Sequence, residues 1–80
     1  MPHVRFYMKK DCPLCDDAKA LLLLLQQEYT FEIEERDIHT NDEWLMRYQL
    51  NIPVVELYGT SLDCESISFQ AIETLLREGI

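Results

Sequence analysis

Hydrophobic and polar residues follow one another in patterns that predict strands and helices in turn. Residues 3–8 are rich in aromatic and β-branched side chains and precede a polar break, which predicts a strand and then a loop. Residues 13–28 carry apolar side chains at helical spacing, and Pro13 suits the first turn because its missing N–H would have no partner there. Leu23 and Leu24 widen the apolar stripe, so we expect more than one face of this helix to be covered.

The middle of the chain predicts a charged strand and a short helix. Apolar and acidic residues alternate over 30–38, which is typical of a strand with one solvent-exposed side. The charges suit a strand at the edge of a sheet. Thr40 and Asn41 are both suitable N-caps for a second helix over 42–49. The inner side of that helix is predicted to carry Trp44, Leu45 and Tyr48.

The last third of the chain predicts a β-hairpin and a final helix. A turn, a strand, a tight turn and a further strand follow one another at 51–53, 54–58, 59–60 and 61–65. Ser66 or Ser68 caps a helix that continues to about residue 78 and ends at Gly79. The inward side of this helix is predicted to carry Phe69, Ile72, Leu75 and Leu76.

The order of elements is therefore β-α-β-α-β-β-α, which predicts an α/β fold. The first two strands are joined through a helix, so they should run parallel with a right-handed crossover, whereas the hairpin strands must be antiparallel. A four-stranded mixed sheet flanked by helices on both faces follows. Eighty residues suit one small domain, and we expect residues 1–80 to form it without a linker or an internal repeat.

The charge balance bears on the classes of partner. The chain carries 7 Lys and Arg against 15 Asp and Glu, a formal net charge of −8. An acidic surface repels phosphate groups, so we expect neither nucleic acid nor an anionic membrane as a partner. The longest apolar run, at 20–25, is too short for a membrane span or for the core of a signal peptide, and we expect a cytoplasmic protein.

Two of the three cysteines, Cys12 and Cys15, form a C-x-x-C motif at the start of the first helix. Backbone N–H groups and the positive end of the helix dipole face a sulfur at the N-cap, and such a site can lower a thiol pKa from about 8.5 to between about 3.5 and 7.5. This predicts that Cys12 is a nucleophile and that Cys15, one turn further on, can attack a mixed disulfide on it. Lys9 and Lys10 add positive charge upstream, which nearby aspartates oppose.

Two other roles for the cysteine pair stay open on the residues alone. One is half of a zinc site, whose two further ligands would come from Cys64, His3 or His39, although none of these is spaced as a second ligand pair. The other is a pair of inert core thiols. We interpret Cys64 as a small buried hydrophobic residue and both histidines as surface or strand-end residues.

Several motifs spread over the whole chain resemble a known family. They are the loop Phe6-Tyr7-Met8-Lys9-Lys10-Asp11, the motif Cys12-Pro13-Leu14-Cys15 with Asp16-Asp17-Ala18 after it, the acidic strand that closes at Asp37-Ile38, and the turn Asn51-Ile52-Pro53-Val54-Val55. On these residues the sequence resembles the glutaredoxin branch of the thioredoxin superfamily, and within it the short bacterial glutaredoxin-like proteins. The resemblance implies a thioredoxin-like fold and a thiol–disulfide oxidoreductase in which Cys12 attacks and Cys15 resolves.

The resemblance also implies a substrate-binding surface beside the dithiol. The proline before the family's third strand is cis and maps to Pro53, which would leave the backbone N–H and C=O of Ile52 able to pair with a peptide or with glutathione. Lys9 would meet a substrate carboxylate. Apart from the resemblance, Pro53 would be an ordinary turn residue that starts a strand, and Lys9 a solvated surface charge.

The segment after the last strand departs from the family pattern. The family carries a Gly-Gly pair there, followed by a polar residue that holds the γ-glutamyl end of glutathione. In this chain residues 62–67 contain no Gly-Gly, and Asp63 and Glu65 would repel an anionic tripeptide. Leu14 also replaces the aromatic residue usual in the motif. The thiol chemistry is untouched by these changes, and glutathione is kept as one candidate co-substrate.

Three functional hypotheses follow. The first is an oxidoreductase without a bound cofactor that reduces protein or small-molecule disulfides, with glutathione or a thioredoxin-type reductase as electron donor. The second is a binding or scaffold module with a structural or vestigial C-x-x-C, since a fold does not by itself confer a function. The third is a metal or iron–sulfur carrier that uses Cys12 with an external thiol. Thiol alkylation rates would separate the first hypothesis from the second.

Overall fold

The structure, a computed structural model, describes residues 2–78 and confirms the predicted order of strands and helices. Its strands are β1 (His3–Met8), β2 (Glu32–Asp37), β3 (Val54–Leu57) and β4 (Thr60–Leu62). Its helices are α1 (Pro13–Leu25), α2 (Asp42–Tyr48) and α3 (Phe69–Glu78), with a short 3-10 helix at Ile38–Thr40. The helix end predicted at Gly79 lies outside the described residues.

The strands form one mixed sheet in the order β2-β1-β3-β4. β1 pairs in parallel with β2 along its whole length and antiparallel with β3, and the hairpin pairs Leu57 of β3 with Thr60 of β4. The sheet is therefore the predicted mixture of parallel and antiparallel strands. The acidic strand β2 forms one edge, where its charges discourage pairing with another chain.

The core consists of two clusters, one on each face of the sheet. The larger cluster lies under α1 and α3, and its most deeply buried members include Val4, Phe6, Leu22, Leu25, Val55 and Ile72. The smaller cluster lies under α2, where Tyr7, Ile38 and Val54 pack against Trp44, Leu45 and Tyr48. Because successive strand residues point to opposite faces, Phe6 and Tyr7 enter different clusters. Helices on both faces are thus confirmed.

An arginine closes the edge of the smaller cluster. Arg36 on β2 donates hydrogen bonds to Glu34 and, at 3.0 Å, to the Tyr7 hydroxyl, and its guanidinium lies 5.0 Å from the centre of the Trp44 ring. The hydrogen bond from Arg36 is the main reason that the pKa of Glu34 lies below its usual value. The Tyr7 and Tyr48 rings stack with their centres 4.1 Å apart. These contacts attach α2 to the sheet.

The leucine run of α1 is covered on one face only. Leu22 is fully buried, whereas Leu23 and Leu24 are 49% and 52% exposed, so the prediction of a second covered face is wrong. A helix turns by about 100° per residue, and consecutive leucines therefore cannot all face one layer. Within residues 2–78, no helix combines the length and the apolar content that crossing a membrane would require.

Several element ends differ from their predicted positions by one to three residues, and three of them have a clear local cause. α1 ends at Leu25, because the N–H groups of residues 27 and 28 bond three residues back in tighter turns. β4 ends at Leu62, because Asp63 begins a hydrogen-bonded turn. The Ser68 hydroxyl accepts a backbone N–H at 3.0 Å and caps α3. Phe69 is then the first residue of the helix and is 38% exposed, so its predicted inward position is wrong.

The hairpin turn consists of Tyr58 and Gly59 rather than residues 59 and 60. Both residues have positive φ, 54° and 78°, as a type I′ turn requires. Glycine adopts this conformation without a steric cost, whereas a residue with a Cβ is strained there. A Cβ on Gly59 would meet no atom within 4 Å, so the strain of a substitution at this position would come from the backbone alone.

We expect Tyr58→Asn to stabilise the protein by ~0.5–1 kcal/mol, because asparagine tolerates the left-handed conformation better than tyrosine. Tyr58 is 50% exposed, so little packing is lost with its ring. Gly59→Ala serves as the opposite case and should destabilise by about 1 kcal/mol. Urea unfolding measures both changes. A Tyr58→Asn variant less stable than the wild type would contradict the argument.

Candidate active site

Cys12 lies where the chain leaves the loop after β1 and enters α1. Asp11 is left-handed at φ 56°, Cys12 is extended at φ −122° and ψ 101°, and Pro13 begins the helix. The Cys12 sulfur accepts the backbone N–H of Cys15 at 3.2 Å, and the Cys12 carbonyl accepts the N–H of Asp16 at 3.0 Å. Cys12 is therefore the N-cap of α1, with its sulfur directed at the N–H groups of the first turn.

The structure brings the two motif cysteines together. Their Cα atoms are 5.2 Å apart, within the range found in disulfides, and their sulfurs are joined as a disulfide. Cys12 is 9% exposed and Cys15 is 2% exposed, so Cys12 is the more accessible of the two. Because Cys12 keeps a small exposed fraction and Cys15 is shielded, an outside disulfide would meet Cys12 first.

The loop before β3 packs on the core that contains the dithiol. The Ile52–Pro53 peptide bond is cis, as the resemblance implies, Pro53 is buried, and Ile52 packs against both core clusters. The expectation of a free Ile52 N–H is wrong, because this group donates to the carbonyl of Tyr48 at 3.0 Å. Carbonyls at the end of a helix lack partners within it, and the following loop supplies one here.

The Ile52 carbonyl oxygen is the second backbone group of Ile52 that could pair with a substrate, and its hydrogen bonding differs from that of the N–H. Among residues 2–78, no backbone hydrogen bond of a loop or turn ends on the Ile52 carbonyl oxygen. This oxygen is thus the backbone group that the loop offers to an incoming molecule. A pairing through both backbone groups of Ile52, as the resemblance implies, would first require the bond to Tyr48 to break.

Two basic residues without a carboxylate partner within residues 2–78 lie in the loop just before the motif. Four of the 7 Lys and Arg form ion pairs with glutamates, namely Arg5, Lys19, Arg36 and Arg77. Within residues 2–78, Lys9, Lys10 and Arg47 have no carboxylate at ion-pair distance. Lys9 and Lys10 are exposed in the loop before Cys12, and Arg47 lies 6.0 Å from the centre of the Tyr48 ring. The ammonium group of Lys9 is thus available to an outside carboxylate.

The segment after β4 is a tight turn whose polar groups bond to one another. Asp63 Oδ1 accepts hydrogen bonds from the backbone N–H groups of Glu65 at 3.0 Å and Ser66 at 3.2 Å, and from the Ser66 hydroxyl at 2.9 Å. These bonds, chiefly that of the Ser66 hydroxyl, hold the pKa of the Asp63 carboxyl below its usual value. The carboxylate that we expected to repel an anion is therefore directed into its own turn.

Cys64 is exposed at this turn, so its predicted burial is wrong. Its backbone N–H donates to the carbonyl of Asn51 at 3.0 Å, which joins the turn to the loop before Pro53. The general tendency of free cysteines toward burial gives way here to the local geometry of the turn. The Asp63 N–H donates to the Ser66 hydroxyl, which itself donates to the Asp63 carboxylate, and the turn that these bonds close leaves residue 64 facing outward.

His3 lies apart from the motif cysteines, whereas His39 is exposed in the short 3-10 helix after β2. The His3 ring nitrogens are 3.2 Å and 2.7 Å from carboxylate oxygens of Glu32 and Glu34, at the opposite end of β1 from Cys12. A cavity of about 300 Å³ at that end is lined by His3, Arg5, Glu56, Leu57, Tyr58 and Gly59. Across residues 2–78, no group of three or more His, Cys, Asp or Glu side chains is placed to hold a metal ion. These residues therefore provide no ligand set for the zinc alternative.

Sequence analysis missed two contributors to the site. Tyr48 is more than a packing residue, because its carbonyl accepts N–H groups from the loop before Pro53. Asp63 organises a turn instead of only adding charge. The Asp-x-x-Ser pattern at 63–66 is typical of such side-chain turns and could have indicated the second role. The role of Tyr48 belongs to its backbone carbonyl, which every residue type carries, so the sequence could not have indicated it.

Comparison with known proteins agrees with this architecture. The family described as Glutaredoxin-like domain (DUF836) matches residues 3–77. A solved structure described only as a malarial protein gives a TM-score of 0.71 at 15% identity, covering 98% of this chain and 96% of its own. A variant thioredoxin from Halobacterium salinarum gives a TM-score of 0.76 at 12% identity, covering 96% of this chain and 73% of its own. Oxidised mitochondrial thioredoxin 3 from Saccharomyces cerevisiae gives 0.66 at 15% identity, with coverages of 96% and 77%.

Proposed function

The chain belongs to the glutaredoxin-like domain family, and on that premise we propose that it is a thiol–disulfide oxidoreductase that reduces disulfides or mixed disulfides with its Cys12–Cys15 dithiol. The observation that carries the proposal is the position of Cys12. Its sulfur accepts a backbone N–H in the first turn of α1, and Cys15 lies within disulfide distance. Such hydrogen bonding favours the thiolate, which is the reactive form of a cysteine.

The proposed reaction exchanges one disulfide for another. The Cys12 thiolate attacks a sulfur of the substrate disulfide, so a mixed S–S bond forms while the substrate S–S bond breaks, and the departing thiolate takes a proton from water. The Cys15 thiolate then attacks the Cys12 sulfur, which closes the Cys12–Cys15 disulfide and releases the second substrate thiolate. Two electrons pass from the dithiol to the substrate, and this step requires no bound cofactor.

We assign the substrate contacts to Lys9, Ile52 and Pro53. The Ile52 carbonyl would accept a backbone N–H of the substrate, and Lys9 would meet a carboxylate. Within residues 2–78, this carbonyl accepts no backbone hydrogen bond of a loop or turn, and Lys9 has no carboxylate at ion-pair distance. Leu14, 60% exposed between the two cysteines, adds an apolar contact. The substrates we propose are protein or small-molecule disulfides, and neither nucleic acids nor membranes.

We place the reaction in the cytoplasm, where a reducing pool returns dithiols to the reduced state. The proposed electron donor is glutathione or a thioredoxin-type reductase. Two coupled assays on one mixed-disulfide substrate identify it, the first with glutathione and glutathione reductase and the second with a thioredoxin reductase. Turnover in one assay alone names the donor, because each assay supplies electrons by one route only.

Alkylation of the reduced protein tests the proposal directly. At pH 7 we expect iodoacetamide to modify Cys12 on the order of 10-fold faster than Cys64, because reaction rate follows the thiolate fraction. Cys64 is a demanding internal control, since it is exposed while Cys12 is nearly buried. Mass spectrometry of digested peptides gives the rate at each cysteine. Equal and slow modification of all the cysteines would contradict the proposal and favour a scaffold module.

A further inference from the structure

The segment at 51–53, which we call the proline loop, is held from two sides. On one side the carbonyl of Tyr48, at the end of α2, accepts the N–H groups of two loop residues at 2.8 Å and 3.0 Å. On the other side the N–H of Cys64 donates to the carbonyl of Asn51 at 3.0 Å. Cys64 belongs to residues 63–66, which we call the acidic turn. The proline loop is therefore joined to the acidic turn as well as to α2.

The acidic turn depends on Asp63. The side chain of Asp63 accepts the N–H groups of Glu65 and Ser66 and the hydroxyl of Ser66. The N–H of Asp63 donates to the Ser66 hydroxyl at 3.0 Å, and its carbonyl accepts the N–H groups of Ser66 at 3.1 Å and Ile67 at 3.0 Å. The Asp63 side chain thus closes the turn from which the Cys64 N–H reaches the proline loop.

We propose that Asp63 is a positioning residue of the dithiol site. Asp63 fixes the acidic turn, and the Cys64 N–H of that turn holds the proline loop. The Ile52 carbonyl thereby keeps its place for a substrate. The inference rests on the proposed oxidoreductase function. Its physical basis is preorganisation, because a loop already held by hydrogen bonds loses less conformational entropy when a substrate binds. This chain has no Gly-Gly pair after β4. The acidic turn at that position then supports the substrate-binding surface and does not repel the substrate.

Three variants separate positioning from charge. Asp63→Ala removes both the acceptor oxygen and the charge, while Asp63→Asn removes the charge and keeps an acceptor. Glu65→Ala is the matched control, because it removes a neighbouring charge and leaves the hydrogen bond of its backbone N–H in place. Two substrates complete the design, namely a disulfide-bonded peptide and hydroxyethyl disulfide, which has no backbone N–H to offer.

For Asp63→Ala we expect KM for the peptide to rise about five- to ten-fold with kcat nearly unchanged, since one substrate hydrogen bond is weakened. KM for hydroxyethyl disulfide should stay the same. Asp63→Asn and Glu65→Ala should both remain within about two-fold of the wild type. Equal effects of Asp63→Ala and Glu65→Ala would overturn the proposal in favour of charge. Equal effects of Asp63→Ala on both substrates would overturn it in favour of a general structural role.

A measurement without turnover separates this proposal from the proposed function. Amide hydrogen exchange of the Cys64 N–H, followed by NMR, should be about ten-fold faster in Asp63→Ala than in the wild type, Asp63→Asn or Glu65→Ala. Unchanged exchange in Asp63→Ala overturns the positioning role whatever the activity. A wild type that reduces neither substrate overturns the proposed function, so the two failures are distinguishable.

Discussion

Replacing Cys12 with serine is expected to lower disulfide reduction by about 1000-fold or more, because a serine hydroxyl cannot take the place of the thiolate nucleophile. Serine is a favourable N-cap residue, so the hydroxyl should still accept the Cys15 N–H that the Cys12 sulfur accepts now. Cys12→Ser should therefore fold, and its loss of turnover should report on the chemistry. Initial rates with a disulfide-bonded peptide, normalised to folded protein, provide the measurement.

Cys15→Ser should stop the same reaction one step later. Cys12 can still form the mixed disulfide, but no second thiol in the motif resolves it, so the adduct accumulates and is visible by mass until an external thiol is added. Cys64→Ser is the control for the loss of a thiol as such, because it removes only the exposed sulfur. Substantial turnover by Cys12→Ser, or adducts on Cys64 in the Cys15→Ser protein, would contradict the assigned roles.

The largest effect on stability among the predicted substitutions is expected at Leu22. This side chain is 0% exposed in the larger core cluster, so Leu22→Ala should cost about 2–5 kcal/mol through lost burial and a residual cavity. That is a large part of the 5–15 kcal/mol by which typical proteins are stable, and roughly 5 kcal/mol is the expectation for a chain this small. Leu23→Ala should cost less than about 1 kcal/mol, because its side chain is 49% exposed.

The two leucines form a matched pair, since the same change is made at adjacent positions of one helix and alters helix propensity equally. Trp44 is the one tryptophan of the chain and packs against the smaller core cluster, so its fluorescence can follow urea unfolding of both variants. Both variants should be compared in the same redox state. Equal destabilisation by the two substitutions would mean that α1 is covered on more than one face.

Residue periodicity was sufficient to predict the order of the elements. Helical spacing in α3 indicates one exposed and one buried side, and the structure agrees. Alternation in β2 indicates the same, but no residue of β2 is fully buried and exposure does not alternate along this strand. The leucine run of α1 has no period, so its sequence could not indicate that Leu22 is buried while Leu23 and Leu24 are exposed. Which face of such a helix is covered depends on where the sheet and α3 lie, and that is a tertiary property.

The candidate site was predictable where it depends on neighbours in the chain. A strand, a loop and Cys12-Pro13 at the start of a helix place the sulfur at the N-cap by local rules alone. The Ile52 N–H was mispredicted because its partner, the carbonyl of Tyr48, becomes available only through the way α2 ends. The link between Cys64 and Asn51 joins segments on either side of the hairpin, which no local pattern describes.

The inner position of β1 determines how readily the strand that leads to Cys12 can open. Sheets open most readily at their edges, and here the edges are β2 and β4. β1 is bonded to a neighbour on both sides and leads through a short loop to Cys12, so fraying of either edge leaves the strand anchored on the other. Excursions that release this strand should approach the free energy of global unfolding. The dithiol would then be oxidised and reduced while the strand before it stays in place. Brief openings that expose Cys15 to oxidants should be rare.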